Sequence, residues 1–176
     1  MKPQLLLHIC CGVCASQILR RLQENYEVIG YFYNPNIEPP NEYRQRLIAT
    51  EKLLAYCKVK LIYGENNNKE WHLAITGLEH WQEGGPRCWR CFQVRLEATA
   101  DCAQKESIRY YATTLTASPY KNSAIINSLG RQIGKKYHIE FIETNYKPEE
   151  KDYQLSKKLD LYRQKYCGCI YSARFE

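Results

Sequence analysis

An α/β fold, one Rossmann-like domain around a mostly parallel sheet of about five strands, is what this sequence predicts. Three observations lead there. Short β-branched and aromatic runs alternate along the chain with longer stretches of helical period. No internal repeat or low-complexity linker divides the 176 residues, so residues 1–176 read as a single domain. The irregular stretches "NPNIEPPNE", "HWQEGGPRC" and "TNYKPEEKD" fall at strand–helix connections, where an open α/β sheet binds its ligands.

The elements follow in order. Strands are expected near Leu5–Ile9, Val28–Tyr33, Val59–Tyr63, Arg109–Thr113 and Ile139–Glu143. Each is a run of apolar, β-branched or aromatic residues short enough for a buried parallel strand. Helices are expected near Cys14–Asn25, Glu42–Cys57, Trp71–Trp81, Trp89–Lys105, Tyr120–Tyr137 and Asp152–Tyr166. In Glu42–Cys57, Leu47, Leu54 and Ala55 fall on one face with Tyr43 and Ile48 nearby, and Arg44, Arg46 and Lys52 are expected to point elsewhere. In "TASPYKN", Ser118 is the expected cap and Pro119 the first-turn residue of the next helix.

Composition narrows the function. Hydrophobic residues make up 44% and charged ones 25%, which is ordinary for a globular domain. The run Leu5-Leu6-Leu7 is broken by His8, short of the roughly 7–15 apolar residues of a secretory leader. No stretch approaches the roughly 18 apolar residues of a membrane span, so the expectation is a cytoplasmic protein with no membrane partner. The formal charge of +6 leans mildly toward polyanionic partners.

Cysteine is the most informative residue. Seven of the nine fall into three groups: Cys10, Cys11 and Cys14 in "CCGVC", Cys88 and Cys91 in "CWRC", and Cys167 and Cys169 in "CGC". Cys57 and Cys102 stand alone in helical patterns and read as small buried apolar residues. In a reducing compartment clustered cysteines are ligands or redox groups rather than disulfides. The first two groups lie at helix starts, where unpaired N–H groups favour thiolate. Structural zinc needs about four ligands, usually from two close pairs. An iron–sulfur cluster takes cysteines from separate segments. Iron–sulfur, zinc and a thiol–disulfide relay all stay open on spacing alone. Thiols also displace the glycine- or serine-rich phosphate cradle that a nucleotide-binding α/β fold places after its first strand.

The stretches "HICCGVC", "GPRCWRCFQVRLEATA", "YYATTLTASPYKN" and "LSKKLDLYRQKYCGCIYS" together resemble the QueH-type, cobalamin-independent epoxyqueuosine reductases, in order over nearly the whole chain. That resemblance implies a fold like the adenine-nucleotide alpha-hydrolases (HUP-like). It also implies a [4Fe-4S] cluster beside a second, mononuclear iron, with Cys10, Cys11, Cys14, Cys88, Cys91, Cys167 and Cys169 as the ligand pool. The implied reaction is two-electron removal of the epoxide oxygen from epoxyqueuosine at the wobble base of tRNAs with GUN anticodons, leaving queuosine. The partners are then the anticodon loop of that tRNA and an electron donor that the sequence does not name. Cys10 and Cys11 would act at the reacting centre, with Tyr120 and Lys121 facing the substrate beside Thr114 and Thr116. Two departures from the family pattern stand out. Asn145-Tyr146-Lys147 replaces an Asp followed by an aromatic and a basic residue, and "PEEKD" replaces Gly-Tyr-x-Arg-Ser, leaving Asp152 and Lys151 as substitutes.

Other residues have plainer readings. His8 reads as a hydrogen-bonded histidine at a strand end. Trp89, between two presumed ligands, reads as a shield against water, with stacking on the flipped base as the alternative. Arg20, Arg21, Arg44, Arg46, Lys157, Lys158, Arg163 and Lys165 are candidates for tracking a nucleic-acid backbone, each alternatively a residue of a solvated helix face. Two rival functions remain: an iron–sulfur tRNA thiolation or sulfonucleotide-reductase-like enzyme, and a non-enzymatic zinc-stabilised RNA-binding module.

Overall fold

Leu5, Leu6 and Leu7 form the middle of the molecule, each without measurable exposure. An apolar residue at every consecutive position, rather than alternation, is the mark of a strand covered on both faces. In the computed structural model, which describes residues 2–144 and 150–173 (without the side chains of 150–152), this segment is strand β1, Gln4–His8. It is the central strand of a five-stranded sheet. The other strands are β2, Glu27–Phe32, β3, Leu61–Tyr63, β4, Tyr110–Thr113, and β5, Glu140–Phe141. The order is β3-β2-β1-β4-β5 and every pairing is parallel, with Leu6 opposite Ile29 on one side and Tyr111 on the other.

The helices are α1, Gly12–Asn25, α2, Pro40–Tyr56, α3, Lys69–Ala74, α4, Pro86–Lys105, α5, Ser123–Tyr137, and α6, Glu150–Lys158. Helices α2 and α4 start at prolines, whose fixed φ suits a first turn. Gly12 opens α1 for a steric reason: a Cβ there would lie 2.7 Å from the carbonyl oxygen of Ala49 in α2.

The α/β class, the five strands and the parallel sheet agree with expectation, and several boundaries do not. Helix α3 ends at Ala74 instead of Trp81, because Gly77 turns the chain at φ 81°. Helix α5 starts at Ser123 rather than Tyr120. Its cap is Asn122, whose side chain accepts from Ile125 N at 3.2 Å, while Ser118 closes a separate turn with Lys121. Helix α6 stops at Lys158. Asp160 adopts φ 45°, Leu161 N returns to Ser156 O at 3.0 Å, and the segment carrying Arg163 and Lys165 continues without helix.

The largest correction concerns α2. Its buried residues are Glu42, Arg46, Ala49, Thr50, Leu53 and Leu54, whereas Ile48 is half exposed. Arg46 therefore points inward, not into solvent. Cys57 and Cys102 are half-buried against the core rather than enclosed by it. Among the described residues no helix is long and apolar enough to cross a membrane.

Candidate metal centre

Strand β1 has β2 on one side and β4 on the other, so its carboxyl end is the switch point of the sheet, where open α/β folds bind ligands. The first cysteine group sits there. Cys10 and Cys11 leave β1, and Cys11 caps α1 with its sulfur accepting from Cys14 N at 3.3 Å. The Sγ atoms of Cys10, Cys11 and Cys14 all lie within 4.8 Å of one another, and all three residues are buried. This is the one such group of potential metal-binding side chains among the described residues.

Three thiols packed this closely do not titrate alike. Cys10 is held well below the usual thiol range because Cys11 and Cys14 donate to its sulfur, which outweighs burial; the Lys121 charge and the Thr114 hydroxyl help. Thr114 Oγ1 stands 3.4 Å from Cys10 Sγ and accepts from Cys10 N at 3.1 Å. Cys11 is pushed well above the range, by burial first. Cys14 is pushed up to about 12, chiefly by its hydrogen bond to Cys10. Metal binding to such a trio would release the protons that its thiols hold.

The second and third groups approach from α4 and the C-terminal segment. Cys88 and Cys91 lie one turn apart on α4, and Cys88 Sγ accepts from Gly84 N at 3.2 Å. Burial raises both, Cys91 to about 11, and the charges of Cys167 and Cys169 act on each of them. Cys91 and Cys169 share a small buried cluster with Trp71 and Ile75.

The C-terminal segment is held by the inward-facing arginine. Arg46 pairs with Glu42 at 2.7 Å and donates to the carbonyls of Tyr166 at 2.9 Å and Cys167 at 3.1 Å. Between the two cysteines Gly168 adopts φ 118°, with the Arg46 guanidinium 3.2 Å from where a Cβ would stand. Only glycine passes there without strain.

A small cavity, partly open to solvent, lies beside this assembly. Cys88, Cys167, Phe92, Trp89, Tyr120 and Lys121 are among the residues that line it. Half-buried Lys121 lies within the field of three cysteines. Burial lowers its proton affinity, but the charges of Cys167, Cys10 and Cys14 outweigh that and leave it raised above the ordinary lysine range. Tyr120 is 88% exposed, at the mouth. Trp89 is partly exposed, its Nε1 donating to Gly84 O at 2.8 Å, so it forms a wall of the cavity more than a cover over the sulfurs.

Of the seven ligand candidates, Cys10, Cys11 and Cys14 reach ligand spacing, Cys88 and Cys167 share the lining of one cavity, and Cys91 packs with Cys169. Thr114 joins the first three; Thr116 instead turns inward and bonds Thr144 at 2.6 Å. His8 is where expected, with Nδ1 2.9 Å from Thr113 Oγ1 and Nε2 3.1 Å from Tyr33 O, so neither ring nitrogen is free for a metal. Of the expected basic surface, Arg46 is buried, and Lys158 contacts Tyr56 at the end of α2 remote from the cysteines. Asn145, Tyr146 and Lys147 lie outside the described residues, as do the side chains of Lys151 and Asp152.

Three participants were not singled out by sequence reasoning. Gln164 Nε2 donates to Cys11 Sγ at 3.0 Å and lies 3.6 Å from Cys14 Sγ. Trp71 Nε1 and Arg95 Nη2 are buried donors without a hydrogen-bond partner. Arg95 was within reach of the sequence, being four residues from Cys91 and seven from Cys88 on one helix face. Gln164 carries no such local signal. The donor set is all sulfur, which suits iron–sulfur clusters, zinc and copper(I). Trp71 and Arg95 place buried N–H donors next to Cys91, which suits a thiolate-bound centre of any of these kinds.

The family model described as "Epoxyqueuosine reductase QueH" matches residues 5–175. The chain is 36% identical to the epoxyqueuosine reductase QueH of Thermotoga maritima, over 95% of this chain and 88% of that protein. It is 32% identical to the one from Streptococcus pyogenes serotype M1, over 100% of this chain and 72% of that protein. Its fold is similar to that of the U34-tRNA thiolase NcsA from Methanococcus maripaludis, solved with its [4Fe-4S] cluster. That likeness has a TM-score of 0.61 at 15% identity and covers 98% of this chain but 62% of the thiolase.

Proposed function

The chain belongs to the epoxyqueuosine reductase QueH family, and on that premise we propose that it removes the epoxide oxygen from epoxyqueuosine at the wobble position of tRNAs with GUN anticodons. The reaction takes two electrons and two protons; both C–O bonds break, a cyclopentene forms and the oxygen leaves as water. The observation that supports this reading is the buried trio Cys10, Cys11 and Cys14 at the switch point, with Cys88 and Cys167 on the wall of a neighbouring cavity.

Cys10, Cys11, Cys14, Cys88, Cys91, Cys167 and Cys169 would hold a [4Fe-4S] cluster and a second iron. Such a centre supplies single electrons and a Lewis acid for an oxygen that is a poor leaving group. The chain's own residues do the rest. Lys121, protonated beside the cysteine charges, holds a proton at Nζ on the cavity wall, where the departing oxygen can take it. Tyr120 and Trp89 present aromatic faces at the cavity for an unstacked base of the anticodon loop. The electron donor is a separate protein or reductant. A thiolation reading draws only on the likeness to the archaeal thiolase, which at 15% identity concerns the fold.

The test is anaerobic purification with iron, zinc and acid-labile sulfide counted per chain, followed by nucleoside analysis of epoxyqueuosine tRNA incubated with dithionite. About four sulfides and four to five irons with conversion to queuosine is the expected result. One zinc, no sulfide and no conversion after reconstitution would leave a zinc-held RNA binder.

A further inference from the structure

We propose that Arg95 is the counter-cation of the metal centre, with its unpartnered Nη2 donating to a sulfur atom of the group that the cysteines hold. Arg95 is 1% exposed, and among the described residues no carboxylate pairs with it. Its Nε reaches Cys91 O at 3.3 Å, and Nη2 is buried without an acceptor. Its Cζ lies 5.7 Å from the Phe92 ring centroid, a contact worth less than the several kcal/mol that a buried guanidinium costs without a counter-charge, so the position calls for an anion as well.

The surrounding chemistry says which anion. Arg95 stands one turn after Cys91 on α4, and its Nε lies 3.3 Å from Cys91 O, so the guanidinium lies beside the second cysteine group. A thiolate-ligated cluster carries net negative charge and offers sulfide and thiolate acceptors, which matches the missing partner of Nη2. Lys121 lines the cavity on the other side, but its side chain is only half-buried. Arg95 is the permanent charge. A fixed cation there stabilises the reduced, more negative state and raises the reduction potential; Arg95 acts through the centre and is a positioning residue, not a catalytic one.

This inference rests on the cysteines holding an iron–sulfur centre, and the experiment keeps the two claims apart. Wild type, Arg95→Met and Arg95→Lys are purified anaerobically; iron and sulfide are counted, the midpoint potential is measured by spectroelectrochemical titration, and unfolding is followed with and without metal. A wild type lacking iron and sulfide would sink the cluster reading itself. With the cluster present, the expected result is a lower midpoint in Arg95→Met and a near wild-type midpoint in Arg95→Lys. Metal removal should also cost Arg95→Met less stability than wild type. If Arg95→Met fails to load metal while Arg95→Lys loads it, the charge requirement stands. An unchanged midpoint in fully loaded Arg95→Met, or loss of the fold in both variants, would assign the arginine to packing and overturn the proposal.

Discussion

At the scale of single residues, His8 has both ring nitrogens committed: Nε2–H donates to Tyr33 O and Nδ1 accepts from Thr113. Burial, with the Arg95 charge second, lowers its pKa from 6.5 to about 4. The unfolded chain therefore takes up a proton near pH 6.5 that the folded protein refuses until about pH 4, and stability falls as pH falls through that window. The shift corresponds to about 3 kcal/mol. Chemical denaturation at pH 7 and pH 5 should show the loss, and His8→Gln should be less stable at pH 7 with a flatter slope. Equal slopes would refute the assignment. Lys121→Met should lower turnover by about 10²- to 10⁴-fold, the usual worth of a general acid, with the visible spectrum of the centre preserved; unchanged turnover would remove Lys121 from the reaction. His8 was legible in the sequence because its neighbours along one strand already defined a buried strand end. Gln164 was not, because its contacts with Cys11 and Cys14 span 153 and 150 residues of sequence.

At the scale of elements, the sequence made cores legible and ends obscure. The apolar runs of β1 and β2 set their own boundaries within a residue or so, since a strand covered on both faces tolerates little else. Helix α6 was overestimated because Leu161–Tyr166 has helix-forming residues, yet Tyr162 is drawn to Glu42 at 2.5 Å and the backbone beyond it to Arg46. Tertiary bonds overrode propensity there. Helix α2 was misread in its first half, where the buried face carries the Glu42–Arg46 ion pair; only further along does it carry Leu53 and Leu54. That ion pair holds the third cysteine group, so Arg46→Met should be costly twice over. It leaves the Glu42 carboxylate buried beside Tyr162 and frees the carbonyls of Tyr166 and Cys167. Removing one partner of a buried pair costs about 3–5 kcal/mol, and iron content per chain should fall with it. A denaturation midpoint and iron content equal to wild type would show that the segment is held by something else.

At the scale of the whole molecule, the class of fold was visible in the alternation of strand and helix, and the candidate site followed from where the cysteines fall on it. The order β3-β2-β1-β4-β5 was not visible, yet it decides the chemistry, because only a central β1 puts Cys10 and Cys11 at the switch point facing α4 and the C-terminal segment. Two structures then support the molecule. The sheet has its own core, in which Leu5, Leu6, Leu7, Phe32 and Tyr111 are fully enclosed, and each such side chain contributes about 1.5–3 kcal/mol of burial. The cysteines instead come from segments that are distant in the chain, and the metal proposed for them would stabilise the fold only while bound. Chelation under anaerobic conditions should therefore lower the unfolding midpoint without abolishing the cooperative transition. Hydrogen exchange should quicken first around Tyr166–Cys169 and the start of α4, while β1 and β4 stay protected. If exchange quickened throughout the sheet on metal removal, the centre would be a condition of folding rather than an addition to a domain already folded.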